Sequence, residues 1–196
     1  MHTAVAFAAA EVRSFFVGGY MHKIIAAVRS RQDLAEALVS GVSDIFLLKT
    51  DIMELQSVVE KVHAVGKSLF VHMDFADGVG KDTSGCLFLK SLGVDGIIST
   101  RANIIKSARE NGMKTVQRVF IVDSHSIVTA ADTMQKNLPD MIELMPGIAA
   151  KAISFFRDRV TIPVIAGGLI ETEEEVKVAL ESGASAVSTG KRELWK

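Results

Sequence analysis

The sequence predicts a parallel α/β fold in which eight strand–helix units close into a compact (β/α)8 barrel with a short final helix. Three observations carry this prediction. From Lys23 onward, short apolar runs alternate with segments of helical periodicity. The connections between them are short, and such alternation produces a parallel sheet covered by helices. The run count is eight, which favours closure over an open doubly wound sheet. A fainter echo agrees: Gly93-Val94-Asp95-Gly96-Ile97-Ile98-Ser99-Thr100 resembles Gly183-Ala184-Ser185-Ala186-Val187-Ser188-Thr189 with one residue fewer, as two pseudo-symmetric barrel halves would.

Each unit reads in turn. The first strand is 24–28, ending before Arg29, and its helix is 32–39. The second is 45–48, followed by Lys49 and Thr50. Asp51 is an N-cap for the helix that carries Leu55, Val58, Val59 and Val62. The third strand, 68–73, ends at Asp74, and residues 76–85 form a polar, glycine-bearing loop before a helix at 86–92. The fourth is 96–99, followed by Thr100 and Arg101, with a helix stop at Asn111-Gly112. The fifth, 115–120, contains Arg118, and Asp123 opens its helix. The sixth, 141–144, contains Glu143 and runs into Pro146-Gly147.

The last two units are the most sharply punctuated. Pro163 has no N–H for a ladder, so it belongs at a strand start. Val164, Ile165 and Ala166 suit a strand buried on both faces. Gly167 and Gly168 turn the chain, Thr172 with Glu175 makes a capping box, and Val176, Ala179 and Leu180 share one helical face. Gly183 stops that helix. The eighth strand starts at Ala186 and ends in Ser188, Thr189 and Gly190, which leaves only 191–196 for a stunted helix.

Composition bounds the function classes. A chain of 196 residues, 48% hydrophobic and 23% charged, suits one well-buried soluble domain. Its formal net charge of −1 gives no global attraction to nucleic acid or to an anionic membrane. One cysteine, Cys86, makes no internal disulfide and fits a reducing cytoplasm. No apolar run approaches the ~18 residues of a membrane span. The single barrel domain is residues 23–196, and residues 1–22 are an N-terminal extension. That extension lacks a basic start and is a poor signal peptide. One expectation makes Met21 the true start, since Gly18-Gly19-Tyr20-Met21 is encodable as a ribosome-binding site and start codon; the other makes the extension a helix closing the barrel bottom.

Charge sits at the strand ends. Arg29, Lys49, Asp74, Arg101, Arg118 and Glu143 all fall at or near C-terminal ends, which converge on one mouth in a barrel. Arginine forks onto phosphate or carboxylate, so the basic members suit a small anion. Asp74 and Glu143 are acceptors for polyol hydroxyls. Gly167, Gly168, Ser188, Thr189 and Lys191 follow the seventh and eighth strands, where barrels commonly hold phosphate. The plainer alternative is that the glycines only turn, the hydroxyls only cap, and the charges pair across the mouth.

Other chemistries are thinly represented. No H-E-x-x-H or paired-cysteine pattern appears. His72 and Asp74 would share a strand face with no second ligand cluster, so no metal is expected. Lys49 at a strand end is where a Schiff-base lysine would sit, which makes a phosphosugar aldolase or isomerase the enzymatic alternative. Arg101, Lys106, Arg109, Lys114 and Arg118 against Glu110 offer a local basic segment for RNA phosphates, although a solvated helix face with one pocket arginine is the simpler reading.

The segments IIAAVRS (24–30), IFLLKTDI (45–52), LFVHMDF (69–75), DGIISTR (95–101), QRVFIVDS (117–124), IELMPG (142–147), PVIAGGLI (163–170) and AVSTGKRELW (186–195) together resemble the glycerol-3-phosphate-responsive antiterminators. The resemblance runs in order along the chain and leaves only the N-terminal extension uncovered. It implies a TIM barrel that binds glycerol 3-phosphate as effector and acts on the leader mRNA of glycerol-utilisation operons. It implies no catalysis, no cofactor and a cytoplasmic, non-membrane protein, and it leaves a homo-oligomer open. Ligand-driven ordering of loop 76–85 is the expected link between effector and RNA.

Overall fold

The computed structural model describes residues 24–196, so both expectations for the N-terminal extension lie outside the described residues. The barrel strands are β1 (Ile24–Val28), β2 (Asp44–Leu47), β4 (Ser68–His72), β6 (Gly96–Ser99), β7 (Lys114–Phe120), β8 (Met141–Met145), β9 (Val164–Gly167) and β10 (Ala186–Thr189). All pair in parallel and close in the order β1-β10-β9-β8-β7-β6-β4-β2. The two echoing segments contain β10 and β6, four places apart in that ring of eight, so they face each other across it.

Among the described residues, seven helices cover the outside: α1 (Arg31–Val39), α2 (Ile52–Ala64), α3 (Thr83–Ser91), α4 (Ala102–Glu110), α5 (Ser124–Asn137), α6 (Ala150–Arg159) and α7 (Glu173–Glu181). Their starts follow the caps in the sequence. The Asp51 carboxylate accepts from Met53 N at 2.8 Å, and Thr172 and Glu175 form a reciprocal capping box. The chain ends in a single 3-10 turn, Arg192–Leu194, instead of an eighth helix. Trp195 is buried there and donates through Nε1 to Thr189 O at 2.8 Å, which pins the last turn to the last strand.

Apolar residues fill the lumen. Alternate residues of each strand point inward, so Ile25, Phe46, Phe70, Ile98, Val116 and Ile165 make one inner cluster. Phe46 and Phe70 meet with ring centroids 5.4 Å apart. Phe70 explains Gly96: a Cβ there would lie 2.4 Å from the ring. Two further clusters pack the helices onto the outer strand faces. No described helix is long and apolar enough to cross a membrane.

The loop expected at 76–85 is corrected in part. Ala76–Asp77 forms β5, which pairs in parallel with β3 (Thr50–Asp51) outside the barrel. The following helix starts at Thr83, not Cys86, because the Asp82 side chain caps it by accepting from Gly85 N at 2.9 Å. Only 78–82 remain irregular. The small ribbon ties the loop after β2, which carries Lys49, to the loop after β4, which carries Asp74.

Candidate ligand-binding site

The barrel mouth holds two adjoining cavities of about 620 Å³ and about 560 Å³. Arg29, Leu48 and Arg118 wall both. Each volume falls within the range, on the order of 300–1,000 Å³, typical of small-ligand clefts.

A buried polar triad lies at the centre. On β7, Arg118 alternates inward with Val116, and in the adjacent strand its register partner is Glu143. Arg118 is 8% exposed and Glu143 1%. Arg118 donates through Nε to Glu143 Oε2 at 2.7 Å, and Ser188 Oγ donates to Glu143 Oε1 at 2.5 Å. Both carboxylate oxygens are therefore engaged by protein groups. The terminal nitrogens Nη1 and Nη2 of Arg118 make no hydrogen bond among the described residues.

This arrangement revises the roles read from the sequence. Gly167 makes room for the triad: a Cβ there would lie 2.5 Å from Glu143 Oε1 and 2.8 Å from Ser188 Oγ. The Ser188 proton goes to Glu143. Thr189 donates to Ile170 O at 2.7 Å and accepts from Lys191 N at 3.0 Å, so its hydroxyl proton is also committed. What the last two turns do present is backbone. Gly168 and Leu169 adopt consecutive left-handed conformations, with φ of 76° and 60°. Among the described residues, no acceptor takes the N–H of Gly168, Leu169 or Gly190. All three residues line the larger cavity together with Lys191, which is exposed and 3.7 Å from Glu193.

Arg29 and Lys49 are exposed on the cavity wall, and among the described residues neither side chain has an ion-pair partner. Asp74 lines the smaller cavity from a 3-10 turn, Met73–Phe75. It accepts from Ser99 Oγ at 2.8 Å and from Thr100 N and Oγ1, each at 2.9 Å. Burial pushes the Asp74 pKa up, and these hydrogen bonds outweigh it and hold the carboxyl below its ordinary value. Arg101 Nε lies 3.7 Å from Asp74 and lines neither cavity. The basic segment does not form one face: Arg118 points into the barrel, Lys106 is 3.9 Å from Glu110, and Arg101 and Arg109 remain exposed.

His72, which the sequence offers only as half of a metal-ligand pair that is then set aside, lies next to the site but lines neither cavity. His72 follows Phe70 on the inward face of β4 and is 1% exposed. Neither ring nitrogen has a hydrogen-bond partner in the structure. Burial, reinforced by the Arg118 charge, lowers its pKa to about 4, so the imidazole is neutral at neutral pH. Among the described residues no group of three His, Cys, Asp or Glu side chains is arranged to hold a metal. The inward register two residues after Phe70 was the available signal for its position.

Known proteins are similar to this chain in fold and sequence. The crystal structure of a glycerol uptake operon antiterminator regulatory protein from Listeria monocytogenes str. 4b F2365 superposes with a TM-score of 0.85 at 36% identity, covering 91% of this chain and 97% of that one. A glycerol uptake operon antiterminator-related protein from Thermotoga maritima MSB8 gives 0.80 at 35% identity, with coverage of 90% and 99%. The Escherichia coli K12 protein YgcP is 35% identical over 173 residues, which are 88% of this chain and 91% of that protein. The glycerol-3-phosphate responsive antiterminator family matches residues 24–195, the whole barrel, and the chain belongs to that family.

Proposed function

We propose that this chain is a non-catalytic sensor of glycerol 3-phosphate that binds leader mRNA of glycerol-utilisation operons and prevents early termination in the cytoplasm. The carrying observation is the cavity beside Arg118. A buried guanidinium, fixed through Nε by Glu143, leaves its terminal donors free next to the N–H groups of Gly168, Leu169 and Gly190. Fixed donors of this kind suit a phosphate, because their orientation is set before the ligand arrives. Arg29, Lys49 and Lys191 add positive charge around it. The acids Asp77 and Glu171 also line the cavities, so the mouth is not a general basic funnel. Selectivity then comes from directed hydrogen bonds, with Asp74 nearest the glycerol end.

RNA is met at the rim of the same mouth. Phe75, exposed on the smaller cavity with Arg29 and Lys49, and Phe120, exposed on the larger with Arg29 and Lys191, combine stacking faces and cations as suits single-stranded RNA. The β3–β5 ribbon couples ligand contacts to that rim, since it joins the segments carrying Lys49 and Phe75.

Calorimetry with glycerol 3-phosphate and with plain glycerol, repeated in the presence of leader RNA, tests the reading. Phosphate-dependent binding that tightens RNA affinity supports it. Turnover of a phosphosugar with borohydride trapping at Lys49 would instead favour an aldolase. Lys49 is exposed on the wall of the smaller cavity, so such trapping would reach it.

A further inference from the structure

We infer that His72 receives a hydroxyl group of the ligand, and that the Phe75 side chain is the lid which the ligand displaces to reach it. The inference deepens the phosphorylated-polyol reading and rests on it.

The first observation is an unmet need. Both imidazole nitrogens of His72 lack a partner, and no other buried side-chain nitrogen or oxygen does among the described residues. Leaving a buried donor or acceptor unsatisfied costs roughly 1–3 kcal/mol, so such groups are rare and call for a physical reason. Buried side-chain nitrogens are ordinarily paired with a carbonyl, a hydroxyl or a water. This one has none, although Asp74 is close: Nδ1 lies 3.9 Å from Asp74 Oδ2, beyond hydrogen-bond reach, while that carboxylate is occupied by Ser99 and Thr100.

The second observation is position. His72 is one pleat closer to the mouth than Phe70 on the same inward face. The charges that act on it are those of Arg118, Asp74 and Glu143, all cavity-wall residues. It lines neither cavity itself and sits behind Asp74 and Phe75, two residues that wall the smaller one.

The third is chemical match. A neutral imidazole offers one donor and one acceptor, and a hydroxyl offers the same pair. A phosphate dianion wants donors only, which the backbone N–H groups and Arg118 already supply. His72 thus fits the alcohol end of the ligand.

The fourth is the cover. The Phe75 ring packs against the imidazole, with centroids 4.8 Å apart and planes tilted by 45°, yet Phe75 is 59% exposed. Swinging it aside costs little apolar burial. The turn beneath it stays in place, because Asp74 ties that turn to Ser99 and Thr100.

The test compares glycerol 3-phosphate with n-propyl phosphate, which keeps the phosphate and lacks the hydroxyls, by calorimetry on the full chain. In the unaltered protein glycerol 3-phosphate binds more tightly. His72→Phe, which keeps a ring and removes both nitrogens, weakens glycerol 3-phosphate by about tenfold, the scale of one neutral hydrogen bond, and leaves n-propyl phosphate within about twofold. Nitrogen-15 NMR of the unaltered protein shows the His72 ring nitrogens shifting on saturation with glycerol 3-phosphate and not with n-propyl phosphate; this arm stands even if the variant fails to fold. Unmoved ring nitrogens, or equal loss for both ligands, overturn the inference while leaving the sensor reading intact. An unaltered chain that binds neither ligand overturns both.

Discussion

Arg118 and Glu143 face each other in register on neighbouring strands and share a 2.7 Å hydrogen bond inside the barrel mouth. Neither is free to leave: a buried charge stripped of its partner costs far more than the pair contributes. Glu143→Ala is therefore expected to destabilise the fold by about 3–5 kcal/mol, the usual cost of breaking a buried pair. Urea unfolding followed by circular dichroism measures it. A double variant that also replaces Arg118 with Met recovers much of the loss, because no uncompensated charge remains.

Gly167 tests whether that pair, rather than the ligand, demands the glycine. A methyl group there meets Glu143 Oε1 at 2.5 Å and Ser188 Oγ at 2.8 Å. Overpacking a filled interior typically costs about 1–3 kcal/mol. Gly167→Ala is expected to lose stability on that scale and to weaken glycerol 3-phosphate through a displaced Arg118. At Gly168 the obstacle differs: its φ of 76° strains any side chain, and a Cβ would lie 2.6 Å from the flexible end of Met145. Gly168→Ala should weaken phosphate binding and leave the triad in place, visible as an unchanged Arg118–Glu143 geometry in a crystal structure of the variant.

Arg29 separates binding from folding. Its side chain is exposed on the wall of both cavities, with no ion-pair partner among the described residues. Surface substitutions free of such ties usually change stability by no more than about 0.5 kcal/mol. Arg29→Met should leave the urea midpoint in place and reduce glycerol 3-phosphate affinity about tenfold or more, as expected for a lost charge-assisted bond of about 1.5–3 kcal/mol. Unchanged affinity would move the phosphate toward Lys191.

The barrel was legible because strands buried on both faces read as apolar runs, and each helix carries its cap in the sequence, as Asp51 and Thr172 show. Two-residue strands such as Thr50–Asp51 and Ala76–Asp77 have no periodicity to detect, so the outer ribbon went unread. The ring of polar strand ends was also visible, since strand ends converge by topology. Which of its members hold one another was not. Ser188 and Glu143 are 45 residues apart and meet only through strand order and pleat. For the same reason Ser188 and Thr189 read as ligand donors although their protons are spent within the protein. The orphaned state of His72 is a property of its surroundings, which no local motif encodes.

That orphaned state has a pH signature. The folded His72 pKa is about 4, against an ordinary value of 6.5, with burial and the Arg118 charge as causes. Between those two values the unfolded chain binds a proton that the folded chain refuses, so stability is full above about pH 6.5 and falls as the pH drops toward 4. The loss attributable to this group approaches about 3 kcal/mol at the acid end. Asp74, whose pKa is also lowered, adds a loss in the same direction at more acid pH. Urea midpoints at graded pH for the unaltered chain and for His72→Phe separate the two: the variant keeps the acid limb of Asp74 and loses the slope that begins near pH 6.5. Parallel curves for the two proteins would show that His72 takes up its proton inside the fold, in surroundings far more polar than the packed, partnerless site described above.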